Sequence, residues 1–236
     1  MAEAPPTRKK SMTSIKLTRR LQAAADLVRV GATVADVGTD HAYLPIALCQ
    51  SARIICAVAS DVNEGPLLRA REHIASYGLQ GCISTVLCDG LDEIEAYDPT
   101  DILILGMGGE LIVDILRRAP WTKKKEIRLI LQPMTHPEAV RRFLAENGYT
   151  VVEETLVSEG RIYQIIAAEY TGRCERFSAL GLLVGEHNLR RGDVLTREVC
   201  ARFRDVFEQR RQGKRIAGTD TSEEDDILHQ LEEYLA

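Results

Sequence analysis

Asp36-Val37-Gly38-Thr39-Asp40-His41-Ala42-Tyr43-Leu44-Pro45 is the stretch whose reading decides the fold. A short apolar run at 33–37 leads into it, and residues 43–50 carry a helical pattern. A strand, a glycine-containing turn and a helix in that order form the nucleotide-binding corner of an open α/β sheet, at the carboxyl edge of the strands. A dinucleotide site there asks for Gly-x-Gly-x-x-Gly, so that backbone amides can approach a pyrophosphate. In this chain Asp40 holds the second glycine position and Asp36 lies just before the turn. Carboxylates at that corner repel phosphate and suit a cation. Gly38 serves the tight turn in either case.

Outward from this corner, strand and helix patterns alternate. A helical segment at 16–30 precedes it and Gly31 ends that segment. Strand patterns follow at 53–59, 83–87, 102–105 and 127–131, with helical patterns at 65–77, 110–118 and 137–147. The strands are largely apolar, as expected when helices cover both faces of a sheet. Such repeats predict a doubly wound, Rossmann-like α/β sheet. At 149–157 and 161–170 two strand patterns flank Ser158-Glu159-Gly160, a hairpin signal. A closing hairpin is the usual end of a class I methyltransferase domain. Beyond Gly172 the pattern is helical. Leu195, Val199, Phe203, Val206 and Phe207 form one apolar stripe, and Ile227, Leu228, Leu231 and Leu235 form another. These predict a small, coiled-coil-like helical hairpin. The expected organisation is a flexible basic leader at 1–15, a catalytic domain at 16–172 and a helical hairpin domain at 173–236.

The corner's charge suits S-adenosylmethionine, which carries a sulfonium and an ammonium beside one carboxylate, better than a nicotinamide dinucleotide. The second strand ends at Ser60-Asp61-Val62-Asn63, where an acid about 20 residues past the glycine turn can accept both hydrogen bonds of a ribose diol. Asp61 equally suits the start of the next helix. The third strand ends at Cys88-Asp89-Gly90, where the acid can accept from an adenine's amine or simply form a turn. The fourth ends at Gly106-Met107-Gly108-Gly109. Amino-group methyltransferases usually carry Asn/Asp-Pro-Pro-aromatic at that corner, to hold the amine's hydrogens. A ring nitrogen with an in-plane lone pair needs only alignment and desolvation. Glycines there admit a flat base close to the backbone, or merely let a helix pack on the sheet.

The 236 residues are 45% hydrophobic with a net charge of −5, so nothing global marks a nucleic-acid binder. Charge is unevenly placed. Lys9, Lys10, Lys16, Arg19 and Arg20 make one basic strip, and Arg190, Arg191, Arg197, Arg202, Arg204, Arg210, Arg211, Lys214 and Arg215 another. The tail from Asp220 onward is acidic, and can lie against the second strip. The 6 cysteines are scattered, without Cys-x-x-Cys or a His-Cys cluster. That usage fits a reducing compartment and argues against a metal site. No apolar run reaches the roughly 20 residues that span a bilayer, and 1–12 has no apolar signal core. A cytoplasmic protein is expected.

The runs DVGTDHAYLP, SDVNEGPL, CDGL, GMGG, LQPMTHPEAVRRFLAENGY and EGRIYQII, in this order over about 17–168, resemble the bacterial tRNA (adenine(22)-N(1))-methyltransferase family. The resemblance implies S-adenosylmethionine as donor, adenine N1 in tRNA as acceptor, and no undisputed general base. Carried onto matching positions, it places Asp36, Gly38, Asp40, His41, Asp61, Val62, Asp89, Gly90 and Gly106 in the donor pocket. Tyr43, Met107 and Gly108 form the base-facing rim, and Asp40 and His41 are the polar candidates for catalysis. Contacts to tRNA are expected from Arg19, Arg20, Arg190, Arg191 and Arg202. A monomer or weak homodimer is expected. The competing readings are the same donor with a small molecule or another RNA, a nicotinamide oxidoreductase, and a non-catalytic RNA-binding module.

Overall fold

A computed structural model describes residues 14–236. Among these, one sheet contains β1 (Ala32–Val37), β2 (Ile54–Asp61), β3 (Ile83–Leu87), β4 (Asp101–Met107), β5 (Arg128–Pro133), β6 (Tyr149–Glu159) and β7 (Arg161–Tyr170). Their spatial order is β3-β2-β1-β4-β5-β7-β6. β1 to β5 are parallel, and β7 runs antiparallel to both β5 and β6. The chain winds one way from β1 to β3 and the other way from β4 onward. The switch point therefore lies between β1 and β4, where a doubly wound sheet opens its ligand crevice.

Alternation along each strand divides the core. Val34, Ala57, Ala59, Leu103 and Ile130 pack beneath α1 (Arg19–Leu27), α2 (Tyr43–Gln50) and α3 (Glu64–Ser76). Ala35, Val37, Val58, Ile102, Ile104 and Leu131 pack on the other face, beneath α4 (Gly109–Arg118) and α5 (Pro137–Glu146). Both faces are buried, which is why these strands are apolar throughout.

Past the hairpin come α6 (Ala179–Val184), α7 (Glu186–Arg191), α8 (Val194–Ala217) and α9 (Ser222–Leu235). The expected two-helix hairpin is α8 with α9, but two short helices precede it and join its core. Leu180, Leu183 and Val184 of α6 pack with Val199, Phe207, Ile227, Leu228 and Leu231, and with Leu156 of β6. Val206 does not belong to the buried stripe: it is 42% exposed, because α8 offers only one face to α9 and the sheet. Glu224 and Asp225 of α9 meet the basic face of α8, at 2.7 Å from Lys214 and at 3.3 and 3.4 Å from Arg211 and Arg215.

Ile15, within the segment expected as a leader, packs on the core, and its N–H donates to Gln50 at 3.0 Å. Lys9 and Lys10 lie outside the described residues. All six cysteines are unpaired thiols. No helix among the described residues is long and apolar enough to cross a membrane.

Candidate active site

Strand ends are aligned along one edge of the sheet. Val37 stands beside Ser60 and Ile104, Asp61 beside Leu87, and Met107 beside Pro133. At the end of β1 the N–H groups of Gly38 and Thr39 both donate to the Ser60 carbonyl, at 2.8 and 2.9 Å. Gly38 has φ +73°, and a Cβ there would lie 2.5 Å from Met107 Cε. Asp40 and Ala42 also sit at positive φ, +49° and +56°. Left-handed backbone costs an L-residue roughly 1–2 kcal/mol, so this turn is held by its surroundings. The result is a cleft of about 230 Å³ lined by Arg20, Leu21, Asp36, Gly38, Thr39, Asp40, His41, Tyr43, Leu44, Leu105 and Gly106.

Asp36 lies buried at the back of this cleft, where the Thr39 hydroxyl donates to it at 2.6 Å. Burial pushes its carboxyl up to about 6, the Thr39 bond opposes this, and the charge of Asp61 adds to it. A buried acid so placed gains from a cation. Asp61 uses Oδ1 to accept the Asn63 N–H at 2.8 Å, which shapes the turn into α3 and leaves Oδ2 open. Val62 beside it is exposed. Asp89 is also exposed, and its Oδ1 accepts from Arg118 at 3.0 Å. Arg118 bridges Asp89 to Asp92, so Asp89 has a structural partner as well as an open oxygen. Gly90 follows it in a left-handed turn beneath Ile115.

Beyond the turn, three rings form a triangle. The centroids of His41, Tyr43 and His73 lie 5.2 Å from one another. His73 Nδ1 is 3.1 Å from the His41 carbonyl oxygen, which ties the turn to α3. Tyr43 is 42% exposed and is the outermost apolar surface of the cleft. His41 Nδ1 is buried without a hydrogen-bond partner. Asp40 is committed on one side: Oδ1 accepts from Arg69 at 3.2 Å, while Oδ2 is 3.5 Å from His41 Nε2.

The glycines of 106–109 divide their tasks. Gly106 lies beneath the Arg20 guanidinium, and a Cβ there would be 3.5 Å from Arg20 Nη1. Gly108 has ordinary space, with Thr135 Oγ1 at 3.4 Å from a built Cβ. Gly109 is a packing glycine. A Cβ on it would lie 2.3 Å from the His136 carbonyl oxygen and 2.7 Å from that of Thr135.

The expected RNA-contacting arginines scatter. Arg19 and Arg190 are exposed. Arg202 is 55% exposed and pairs with Glu198 at 2.8 Å. Arg191 is occupied within the fold, donating to the Glu154 carbonyl at 3.0 Å and pairing with Asp193 at 3.0 Å. Arg20 points into the cleft. Arg69, His73, Gln132 and Tyr163 carry no sequence signal of their own. Each is brought to the mouth only by the packing of α3 on β2 or of β7 on β5.

No cluster of three or more His, Cys, Asp or Glu side chains among the described residues could hold a metal. The donor set instead fits a small cationic ligand: a buried acid, a glycine cradle that a Cβ would fill, and an acid at the end of β2. A methyltransferase-domain family model matches residues 17–166. The chain is 35% identical over 175 residues to a Bacillus subtilis protein named tRNA (adenine(22)-N(1))-methyltransferase, covering 74% of each. The crystal structure of the B. subtilis m1A22 tRNA methyltransferase superposes with a TM-score of 0.81 at 29% identity, over 94% of this chain and 97% of that one. A candidate tRNA (m1A22) methyltransferase of Streptococcus pneumoniae, solved with S-adenosyl-L-methionine, gives 0.83 at 28% identity, over 94% and 100%. With fold, cleft and kinship in agreement, the chain belongs to the bacterial tRNA (adenine(22)-N(1))-methyltransferase family.

Proposed function

We propose that the protein transfers the methyl group of S-adenosylmethionine to N1 of adenine 22 in tRNA. The observation that carries this reading is a cleft with a buried acid at its back and an exposed ring at its rim. Kinship with the B. subtilis enzyme supports the acceptor. Bound S-adenosylmethionine supplies an electrophilic methyl on a sulfonium. Asp36 balances positive charge at the back of the cleft, Asp61 Oδ2 accepts from a ribose hydroxyl, and Asp89 accepts from an adenine amine. Gly38, Asp40, His41, Val62, Gly90 and Gly106 complete the donor side. Tyr43, Met107 and Gly108 face the target base.

Adenine N1 is unprotonated at neutral pH, so these residues need only orient and desolvate it. Tyr43 offers a stacking face to a base taken out of its helix. The 106–109 turn contributes no side-chain acceptor, which suits a ring nitrogen rather than an exocyclic amine. Asp40 and His41 are the nearest polar groups to accept the amine proton made more acidic by methylation.

On this reading 16–172 performs catalysis and 173–236 holds the RNA. β7 starts beside the end of β5, and Ile162 and Gln164 line a groove with Arg202, Phe203 and Val206 of α8. That groove joins the hairpin to α8, and Arg19 and Arg190 are the further exposed cations proposed to contact the RNA. The working unit on this reading is a monomer or weak homodimer, and kinship with a tRNA methyltransferase supports a place in the cytoplasm. The test is incubation of the protein, unmodified tRNA and labelled S-adenosylmethionine, followed by nucleoside mass spectrometry. The expected product is 1-methyladenosine, lost when adenine 22 is replaced by guanine. Label in a small molecule only, or none in tRNA at low salt, overturns the reading.

A further inference from the structure

We infer that Arg20 is the anchor for the carboxylate of the methyl donor and not a contact to RNA phosphates. The inference rests on the reading of the cleft as an S-adenosylmethionine site, and goes on to say how the donor's amino-acid tail is held there.

Charge sets the problem. The donor brings two cationic centres and one carboxylate, and the acids Asp36 and Asp40 answer only the cations. A carboxylate placed in the same cleft meets like charge unless a cation faces it. Arg20 is the one arginine or lysine lining the cleft among the described residues.

Arg20 is also held in place without being neutralised. Its backbone N–H donates to Glu159 Oε2 at 2.8 Å, and Nη1 donates to Gln132 Oε1 at 2.7 Å. Gln132 is fully buried, and its Nε2 donates to the Pro133 carbonyl at 3.0 Å, which turns Oε1 toward Arg20. The guanidinium lies over the Tyr163 ring at 5.6 Å. Among the described residues, Nε and Nη2 have no hydrogen-bond partner and no carboxylate lies within ion-pair distance of the guanidinium. Arg29 and Arg128, both partly buried like Arg20, each have one. A cation that lines the cleft, braced by an amide and a ring and with Nε and Nη2 unengaged, is ready for an anion that arrives with the ligand. Its position favours a small ligand over a phosphate backbone. Arg20 is half-buried inside the cleft, whereas its neighbour Arg19 is exposed.

The test compares S-adenosylhomocysteine with its decarboxylated analogue, S-adenosyl-3-thiopropylamine, by calorimetry on the full-length protein. Wild type, Arg20→Gln and Arg20→Lys are titrated, with melting temperature followed in parallel. Arg20→Gln is expected to weaken S-adenosylhomocysteine by about 10- to 100-fold, the range for a charge-assisted hydrogen bond, and to leave the analogue within about twofold. Arg20→Lys, a point charge without the fork, is expected to fall between, and serves where Arg20→Gln does not fold. Equal losses for both ligands overturn the inference, because the effect then does not depend on the carboxylate. Unchanged S-adenosylhomocysteine affinity with a raised KM for tRNA also overturns it and returns Arg20 to the RNA. If wild type binds neither ligand, the donor reading itself fails, an outcome distinct from the other two.

Discussion

The Thr39 hydroxyl donates a 2.6 Å hydrogen bond to Asp36 Oδ2, inside a turn that forces two non-glycine residues into left-handed backbone. This bond alone favours the ionised acid, but burial outweighs it and carries Asp36 from 3.8 up to about 6. Between these values the folded chain keeps a proton that the unfolded chain has lost, so stability falls as pH rises from about 4 to about 6 and stays reduced above. Asp36→Asn removes that penalty. At pH 7.5 the unliganded variant is expected to be more stable than wild type, by up to about 3 kcal/mol. Donor binding by the wild type is expected to weaken below about pH 6, as Asp36 takes up its proton, and the variant is expected to bind weakly at every pH. Urea unfolding and calorimetry across pH 5–8 measure both. A variant that is less stable and still binds normally contradicts this role.

Arg141 and Glu154 form a fully buried pair at 2.6 Å, and Arg141 also donates to Gln164 at 2.7 Å and to the Leu182 and Val184 carbonyls at 2.9 and 3.2 Å. The contacts join α5, the hairpin and the end of α6. Removing one partner strands the other charge, so Arg141→Met and Glu154→Leu are each expected to cost about 3–5 kcal/mol. Because the groups act as a unit, Arg141→Met with Glu154→Leu is expected to cost clearly less than the sum of the single changes. Chemical denaturation of the four proteins gives the coupling, and strict additivity speaks against the network.

Gly109→Ala is the severe glycine change. Its Cβ meets two backbone carbonyl oxygens, which cannot swing aside as a side chain can. The expected loss is about 2–3 kcal/mol from overpacking, visible as a lowered melting temperature. Gly108→Ala, with only a hydroxyl at 3.4 Å, is expected to fold normally. Equal melting temperatures for the two variants remove the distinction.

Tyr43→Ala is expected to lower kcat/KM for tRNA by about 10- to 100-fold, the range for loss of one base-stacking side chain, without changing S-adenosylhomocysteine affinity. Tyr43→Phe keeps the ring and is expected to retain most activity. Steady-state kinetics with tRNA as the varied substrate decides. Equal loss in both variants moves the role from the ring to the hydroxyl.

The parallel sheet was legible because its strands are buried on both faces, so apolar runs broken by helices leave few alternatives. The helix at Tyr43–Gln50 and the strand at Ile83–Leu87 fall on their expected bounds. The glycine turn was legible for a similar local reason: Asp36, Gly38 and Asp40 fall within five residues of chain. What escaped is what depends on tertiary packing. His73 lies in the last turn of α3 and joins His41 and Tyr43 only because α3 packs beside the turn. Gln132 faces Arg20 across more than a hundred residues of chain. The acidic tail lies against the basic strip as charge placement suggested, with Arg211, Lys214 and Arg215 paired to Glu224 and Asp225, but charge placement did not show that Arg191 is held by Asp193 and the Glu154 carbonyl.

The most direct measurement is calorimetric titration of the wild-type protein and of Asp36→Asn at pH 7.5, with S-adenosylmethionine and, separately, with NADH. The expected result is one S-adenosylmethionine bound per wild-type chain, at least tenfold weaker binding to the variant, and no heat from NADH. Saturable NADH binding with S-adenosylmethionine silent, or equal S-adenosylmethionine affinity in both proteins, would contradict a mouth built of carboxylates to hold a cation.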